Sequence, residues 1–259
     1  MAEIKKLTNN EFNDIASRMS FDAILLAKDY YLTVILYLLK NIEGVYFKGG
    51  TALQKIFLNH SRLSEDIDFT ITRDTSEIKK EIVGILEESG YFESITEKKD
   101  DAGFTRLVVH YKRFTGEDDV LFIDLNKRAT LLMKTEKHPI KHFYKSSIPE
   151  FSFPTLAKKE MVAEKVRAAI SRNKPRDHYD IYMIIQKKIP IDMKMVKKKC
   201  EQGNVEFNII SMFNKANTLH KRWNEDMIAL LAKEIPFEQV MKTLAQHFKL
   251  KEEKDKLKK

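Results

Sequence analysis

Cysteine is almost missing: Cys200 is the sole thiol in 259 residues, so no disulfide can form within the chain, and a reducing cytoplasm is the expected compartment. Glycine and proline are scarce, at 8 and 6 residues, which excludes a collagen-like repeat. With 43% hydrophobic and 10% aromatic residues, disorder is excluded as well. Long apolar runs are also lacking. The longest, Tyr30 to Leu39, is ten residues interrupted by Thr33, well short of the roughly 20 that cross a bilayer. No membrane span is expected, and the opening MAEIKKLTNNEF lacks the apolar stretch of a secretory signal. The GxSxG, Walker A and Rossmann glycine patterns are absent.

What the chain has in excess is positive charge, and it is unevenly spread. Overall, 46 Lys+Arg face 38 Asp+Glu, for a formal +8. Residues 1–150 carry 22 basic and 24 acidic side chains, whereas residues 151–259 carry 24 and 14. Between Lys127 and Arg176 there are 13 basic residues against four glutamates. Such a surface suits a polyanion such as RNA, and it equally suits plain solvation.

The hydrophobic pattern changes character along the chain. Phe12, Ile15 and Met19 share one face of a first helix, and Ser20 with Asp22 open a second that runs through YLTVILYLL. Gly44 to Phe47 reads as a short strand, Gly49-Gly50 as a turn, and Ala52, Leu53, Ile56 and Phe57 as a helix. DIDFTIT, YFESIT, GFTRLVVHYKRF and DVLFIDLN read as further strands, with an amphipathic helix over residues 76–88. From Pro154 onward only helices are expected: 155–172, 175–187, about 192–200, 205–223 and pieces up to His247, with Asn173 and Pro175 marking a helix start. The tail from Lys249 is expected to fray. The chain therefore reads as α+β, with a mixed-sheet domain over 1–150, a basic helical bundle over 151–259, and a boundary in SSIPEFSFP.

Chemistry concentrates in KGGTALQKIFLNHSRLSEDIDF, residues 48–69. Glycines at a strand-to-helix turn let backbone N–H groups approach an anion, although a Gly-Gly turn alone is more often a plain tight turn. Asp66 and Asp68 alternate with Ile67 and Phe69, so on a strand both carboxylates face one side. Like charges so placed repel unless a cation sits between them, and a hard divalent ion such as Mg²⁺ is the natural occupant. A solvated strand end is the plainer reading of Asp-X-Asp. Asp124, set in the apolar strand VLFIDLN, needs a partner: a metal shared with the first two aspartates, or Lys127 or Arg128. His138-x-x-x-His142 has zinc-ligand spacing, but lacks cysteine and a third ligand, and Pro139 opposes a helix there.

Gly-Gly-Thr before a helix, then Arg62-x-Ser64-x-Asp66-x-Asp68-Phe69, then a strand bearing Asp124, resembles the nucleotidyltransferases of the DNA polymerase β superfamily. KGGTALQK with RLSEDIDF, and EKVRAAISRNKPRDHYDIY from Glu164 to Tyr182, are similar to the AbiEii/AbiGii toxin family, the nucleotidyltransferase-like partner in type IV toxin–antitoxin systems. The helices beyond Lys187 match no motif.

The resemblance implies a nucleotidyltransferase-fold mixed sheet with flanking helices, followed by the C-terminal bundle. It implies transfer of a nucleoside monophosphate from an NTP to an acceptor hydroxyl, with RNA, tRNA among it, as acceptor and a cognate antitoxin as partner. By resemblance Gly49, Gly50, Thr51 and Ser64 hold the triphosphate, the contacting hydroxyl being Thr51 or Ser64. Asp66 and Asp68 bind Mg²⁺ or Mn²⁺, and Asp124 is the third carboxylate. Lys165 contacts triphosphate, and Arg176, Asp177 and Asp180 belong to the same machinery, the bundle lending Lys165, Asp177 and Asp180 to the cleft. Lys127, Arg128 and Lys134 are candidate phosphate contacts, and Phe143 and Tyr144 candidate base-stacking rings. Two rivals stay open: a catalytically degenerate module that binds RNA or protein, and a glycosyltransferase whose Asp-X-Asp holds a metal–nucleotide sugar.

Overall fold

The structure, a computed structural model, describes residues 4–101, 103–128, 130–172 and 174–256. It divides into two compact units, Met1–Ala157 and Lys158–Lys259.

The first unit opens with helix α1 (Asn9–Arg18), started by a reciprocal capping box between Thr8 and Glu11. Helix α2 (Ala23–Leu39) is capped by Asp22 and buries most of its side chains. Seven strands follow: β1 (Val45–Lys48), β2 (Asp66–Ile71), β3 (Ser94–Asp101), β4 (Phe104–Lys112), β5 (Asp118–Asn126), β6 (Glu136–Pro139) and β7 (Ser152–Thr155). They form one mixed sheet in the order β3-β4-β5-β2-β1-β7-β6. A short helix α3 (Gly49–Ala52) continues directly from β1, and α4 (Thr75–Glu88) follows β2.

Alternation sorts each central strand into two faces. Phe47, Ile67, Phe69, Leu107, Val109, Leu121, Ile123 and Leu125 are buried on one side, where the rings of Phe47, Phe69 and Phe153 pack within 6 Å of one another. The opposite side carries Asp66, Asp68, Arg106 and Phe122, all only partly buried. The sheet is thus amphipathic, and its polar face is where charge can act.

Strands β6 and β7 escape the sequence pattern because each has only four residues and contains a proline. Thr155, expected to begin a helix, is the last residue of β7, and the helix starts at Lys158.

The second unit holds α5 (Lys158–Arg172), α6 (Pro175–Gln186), α7 (Met193–Gln202), α8 (Ala216–Met227), α9 (Phe237–His247) and α10 (Leu250–Lys256). Pro175 occupies the first turn of α6, where its missing N–H costs nothing; Asn173 lies outside the described residues. The single helix expected over 205–223 is instead a 3₁₀ turn (Ile209–Met212) and then α8, because Asn208 turns its side chain onto the Ile210 N–H and restarts the chain there. The tail does not fray where expected: α10 is helical through Lys256, helped by a 2.6 Å Lys256–Glu253 pair, and residues 257–259 lie outside the described residues.

Candidate functional site

A row of charge crosses the polar face of the sheet. Strand register places Lys48 opposite Asp68, Asp68 opposite Asp124, and Asp124 opposite Arg106, across β1, β2, β5 and β4. Directly opposed residues project from the same face, so these four side chains stand side by side. Asp66 joins them from two residues earlier on β2, opposite Phe122.

The glycine turn abuts this row. Strand β1 ends at Lys48 and the chain swings into α3 through Gly49, whose φ of +79° is a left-handed conformation that side chains resist. A Cβ at Gly49 would also collide with the Asp68 carboxylate. Gly49 is therefore required twice, by the backbone and by the acid packed on it.

Thr51 and Ser64 meet at 2.9 Å, and the Thr51 hydroxyl also contacts the Asp66 carbonyl. Thr51 is buried and Ser64 half-buried. Since a hydroxyl has one hydrogen, Thr51 donates to the carbonyl and accepts from Ser64. Thr51 thereby pins the start of β2 to the turn, while Ser64 is the hydroxyl with access to a ligand.

Behind the turn, α3 widens into a single π-helical turn, Leu53–Leu58, which ends with Asn59 and His60 both left-handed, at φ 56° and 50°. Gln54 accepts from the Ser61 hydroxyl at 2.9 Å and the Arg62 N–H at 3.3 Å, tying the loop toward Asp66 to the helix after the glycines. Lys55, fully buried, donates to Asp29 at 2.6 Å and to Thr33 at 2.9 Å on α2. The Tyr144 hydroxyl lies 3.1 Å from the other Asp29 oxygen. Burial would disfavour the Asp29 charge, but Lys55 beside it holds the carboxyl below its ordinary value. Burial also lowers the Lys55 ammonium and pushes His60 and His142 down to about 4.

Arg106 is the residue the sequence reading overlooked. Its Nε and Nη2 donate to the two oxygens of Asp124, each at 2.6 Å, and its guanidinium lies 5.1 Å from the centre of the Phe122 ring. The Asp124 hydrogen bonds raise the Arg106 pKa above its ordinary value, and the charges of Asp124, Asp66 and Asp68 add to this. All three carboxylates therefore act on one cation. Of the side-chain partners expected for Asp124, Lys127 or Arg128, the structure shows neither; Arg106 takes that place, while Arg128 pairs with Asp101 at 2.8 Å. Among the described residues no three His, Cys, Asp or Glu side chains converge as a metal-binding group. His138 lies on β6 and pairs with Glu136 at 2.7 Å.

In the second unit, Lys165 of α5 sits between Asp177 and Asp180 of α6, at 3.0 and 2.8 Å. The ammonium is 5% exposed and neither aspartate is exposed at all, so the charges neutralise one another inside the bundle. Arg172 adds a two-point grip on Asp177 at 2.7 and 2.9 Å. Burial alone would raise the Asp177 carboxyl; Lys165 and Arg172 reverse this and hold it well below the usual range. Arg176, one turn before Asp180 on α6, is half-exposed and without an ion pair among the described residues. Tyr144 is fully buried and cannot stack a base; Phe143 packs against the His60 ring at 4.4 Å.

The profile of the family described as nucleotidyl transferase AbiEii toxin, type IV toxin–antitoxin system, matches residues 38–245, well over half of the chain. The chain belongs to this family. It is accordingly a nucleotidyltransferase, and an NTP is its substrate. Both the glycine-turn block and the Lys165–Asp180 block fall inside the matched family region. Among solved structures, the fold is similar to that of JHP933 from Helicobacter pylori, with a TM-score of 0.61 at 18% identity, covering 92% of this chain and 98% of that one. It is also similar to MenT4, a nucleotidyltransferase toxin from Mycobacterium tuberculosis, with a TM-score of 0.62 at 23% identity over 75% and 69% of the two chains. No curated protein matches the sequence. No helix among the described residues is long and apolar enough to cross a membrane.

Proposed function

We propose that this family member transfers a nucleoside monophosphate from an NTP to a hydroxyl of RNA, tRNA being the favoured class, in an Mg²⁺-dependent reaction, and that as a toxin it is restrained by a cognate antitoxin. The observation that carries the reading is the pair Asp66 and Asp68 on the polar face of β2, with Asp68 packed on Gly49 and Ser64 accessible beside them.

The donor set fits the ion. Asp66 and Asp68 offer hard carboxylate oxygens on one face of a strand, the ligand type Mg²⁺ or Mn²⁺ takes together with phosphate oxygens. Bound there, the ion supplies neutralisation of charge as pyrophosphate leaves. The turn at Gly49 and Gly50 presents backbone N–H groups to the triphosphate, and Ser64 adds a hydroxyl donor by turning its one hydrogen from Thr51 to a phosphate oxygen. Thr51 keeps Ser64 and the start of β2 in place. The acceptor oxygen attacks the α-phosphorus, the bond to the bridging oxygen breaks, and Asp124 receives the proton of the acceptor hydroxyl. Within the second unit, Asp177 and Asp180 hold the Lys165 ammonium, and Arg176 stays half-exposed on α6. The excess of basic residues over 151–259 supports a polyanionic acceptor.

Incubation with radiolabelled NTPs, Mg²⁺ and total RNA tests this. Label should enter RNA, and Asp66→Ala should abolish incorporation while leaving the fold intact by circular dichroism. Tight RNA binding with no incorporation by the wild type would instead identify a binding module.

A further inference from the structure

Arg106 has no place in the chemistry above, yet it makes a two-point contact with Asp124 on the polar face. Both oxygens of Asp124 are engaged at 2.6 Å by one guanidinium, which is also stacked on Phe122. The two sides of Asp124 differ: Asp68 lies opposite it on β2 and Arg106 opposite it on β4. The carboxylate has turned toward β4, and among the described residues no three acids converge, although Asp66, Asp68 and Asp124 stand on neighbouring strands of one face.

The Arg106 side chain is 33% exposed, against 11% for Asp124. It can therefore swing to an incoming anion without leaving the surface, whereas Asp124 is held by its strand. A guanidinium fork binds phosphate as readily as carboxylate, so a triphosphate reaching from the glycine turn after β1 across β2 and β5 offers it an equivalent partner.

We propose that Arg106 is a positioning residue that latches the third carboxylate: it keeps Asp124 turned away from Asp66 and Asp68 until a nucleotide triphosphate draws the guanidinium off, and only then does Asp124 join them. This rests on the proposed metal role of Asp66 and Asp68. Its consequence is ordered assembly. Without nucleotide the cation meets two acids, and with nucleotide it meets three.

Mn²⁺ binding, read from the electron paramagnetic resonance of the free ion without nucleotide, separates the possibilities. Arg106→Gln should bind Mn²⁺ about tenfold tighter than the wild type, the scale on which partners of metal ligands act. The gain should vanish in Asp124→Asn, where Arg106→Gln/Asp124→Asn should bind no more tightly than Asp124→Asn alone. A gain that survives without Asp124 would reduce Arg106 to a repulsive charge and overturn the latch. Equal or weaker binding by Arg106→Gln would do the same. Arg106→Lys keeps the charge but loses the two-point grip, so it should also tighten Mn²⁺ binding; unchanged affinity there overturns the latch even if the Gln variant does not fold. If neither the wild type nor Arg106→Gln binds Mn²⁺ in a manner lost in Asp66→Asn, the metal reading falls and takes the latch with it. Equal, Asp66-dependent binding by both sinks the latch alone.

Discussion

At the scale of single residues, the site depends on what is missing at position 49 as much as on what is present at 66 and 68. Gly49 combines a left-handed φ with direct contact to the Asp68 carboxylate. Gly49→Ala should therefore displace Asp68 without unfolding the sheet. Misplacing a reacting group by about an ångström costs on the order of 100-fold in rate, so label transfer should fall by about that factor while the far-ultraviolet spectrum stays native. Wild-type turnover in this variant would mean that the turn and the acid are not coupled. The division of labour between Thr51 and Ser64 belongs to the same scale. Sequence leaves the two hydroxyls equivalent, and burial separates them: Thr51 is spent on the Asp66 carbonyl and Ser64 is not.

At the scale of elements, the π-helical turn after α3 anchors the glycine turn to α2. Its Lys55 is buried against Asp29 and Thr33, and the two histidines nearby, His60 and His142, are kept neutral chiefly by burial, with pKa values near 4. The sign of the pH effect follows. Between the ordinary histidine value of about 6.5 and about 4, the unfolded chain binds protons that the native chain does not. Stability is then fully present above pH 6.5 and is lost as pH falls toward 4. Urea unfolding midpoints should decline over that window, and His60→Phe, which removes a buried ring nitrogen lacking a hydrogen-bond partner, should flatten the decline. An identical pH dependence in this variant would show that His60 protonates freely in the native state. The Asp177 carboxyl, held low in the bundle, acts in the same direction but only at more acidic pH, below about 4.

At the scale of the whole molecule, charge is divided between the two parts of the sequence, with the excess of lysine and arginine after residue 150. If RNA is the acceptor, its affinity should fall steeply with salt, log K decreasing by about 0.7 per phosphate contact for each unit of log salt on single strands. Filter binding from 50 to 200 mM KCl reads this directly, and a flat response would remove RNA as a partner. The amino-acid sequence by itself determined that there is a strand–glycine–helix unit, that Asp66 and Asp68 share a face, and that helices dominate after the sheet. These follow from local periodicity and from glycine's backbone freedom, which need no knowledge of distant residues. Short β6 and β7 were not legible because four residues containing proline carry too little alternation. Arg106 was closer to legible than it looked. Counting six residues up each strand from the Lys112–Asp118 rung of the β4–β5 hairpin sets it opposite Asp124. What only the tertiary structure decided was the partner of each charge, because strand order and burial, not sequence spacing, choose which opposite charge comes within 3 Å: Arg106 for Asp124, Asp29 for Lys55, and the Asp177–Asp180 pair for Lys165.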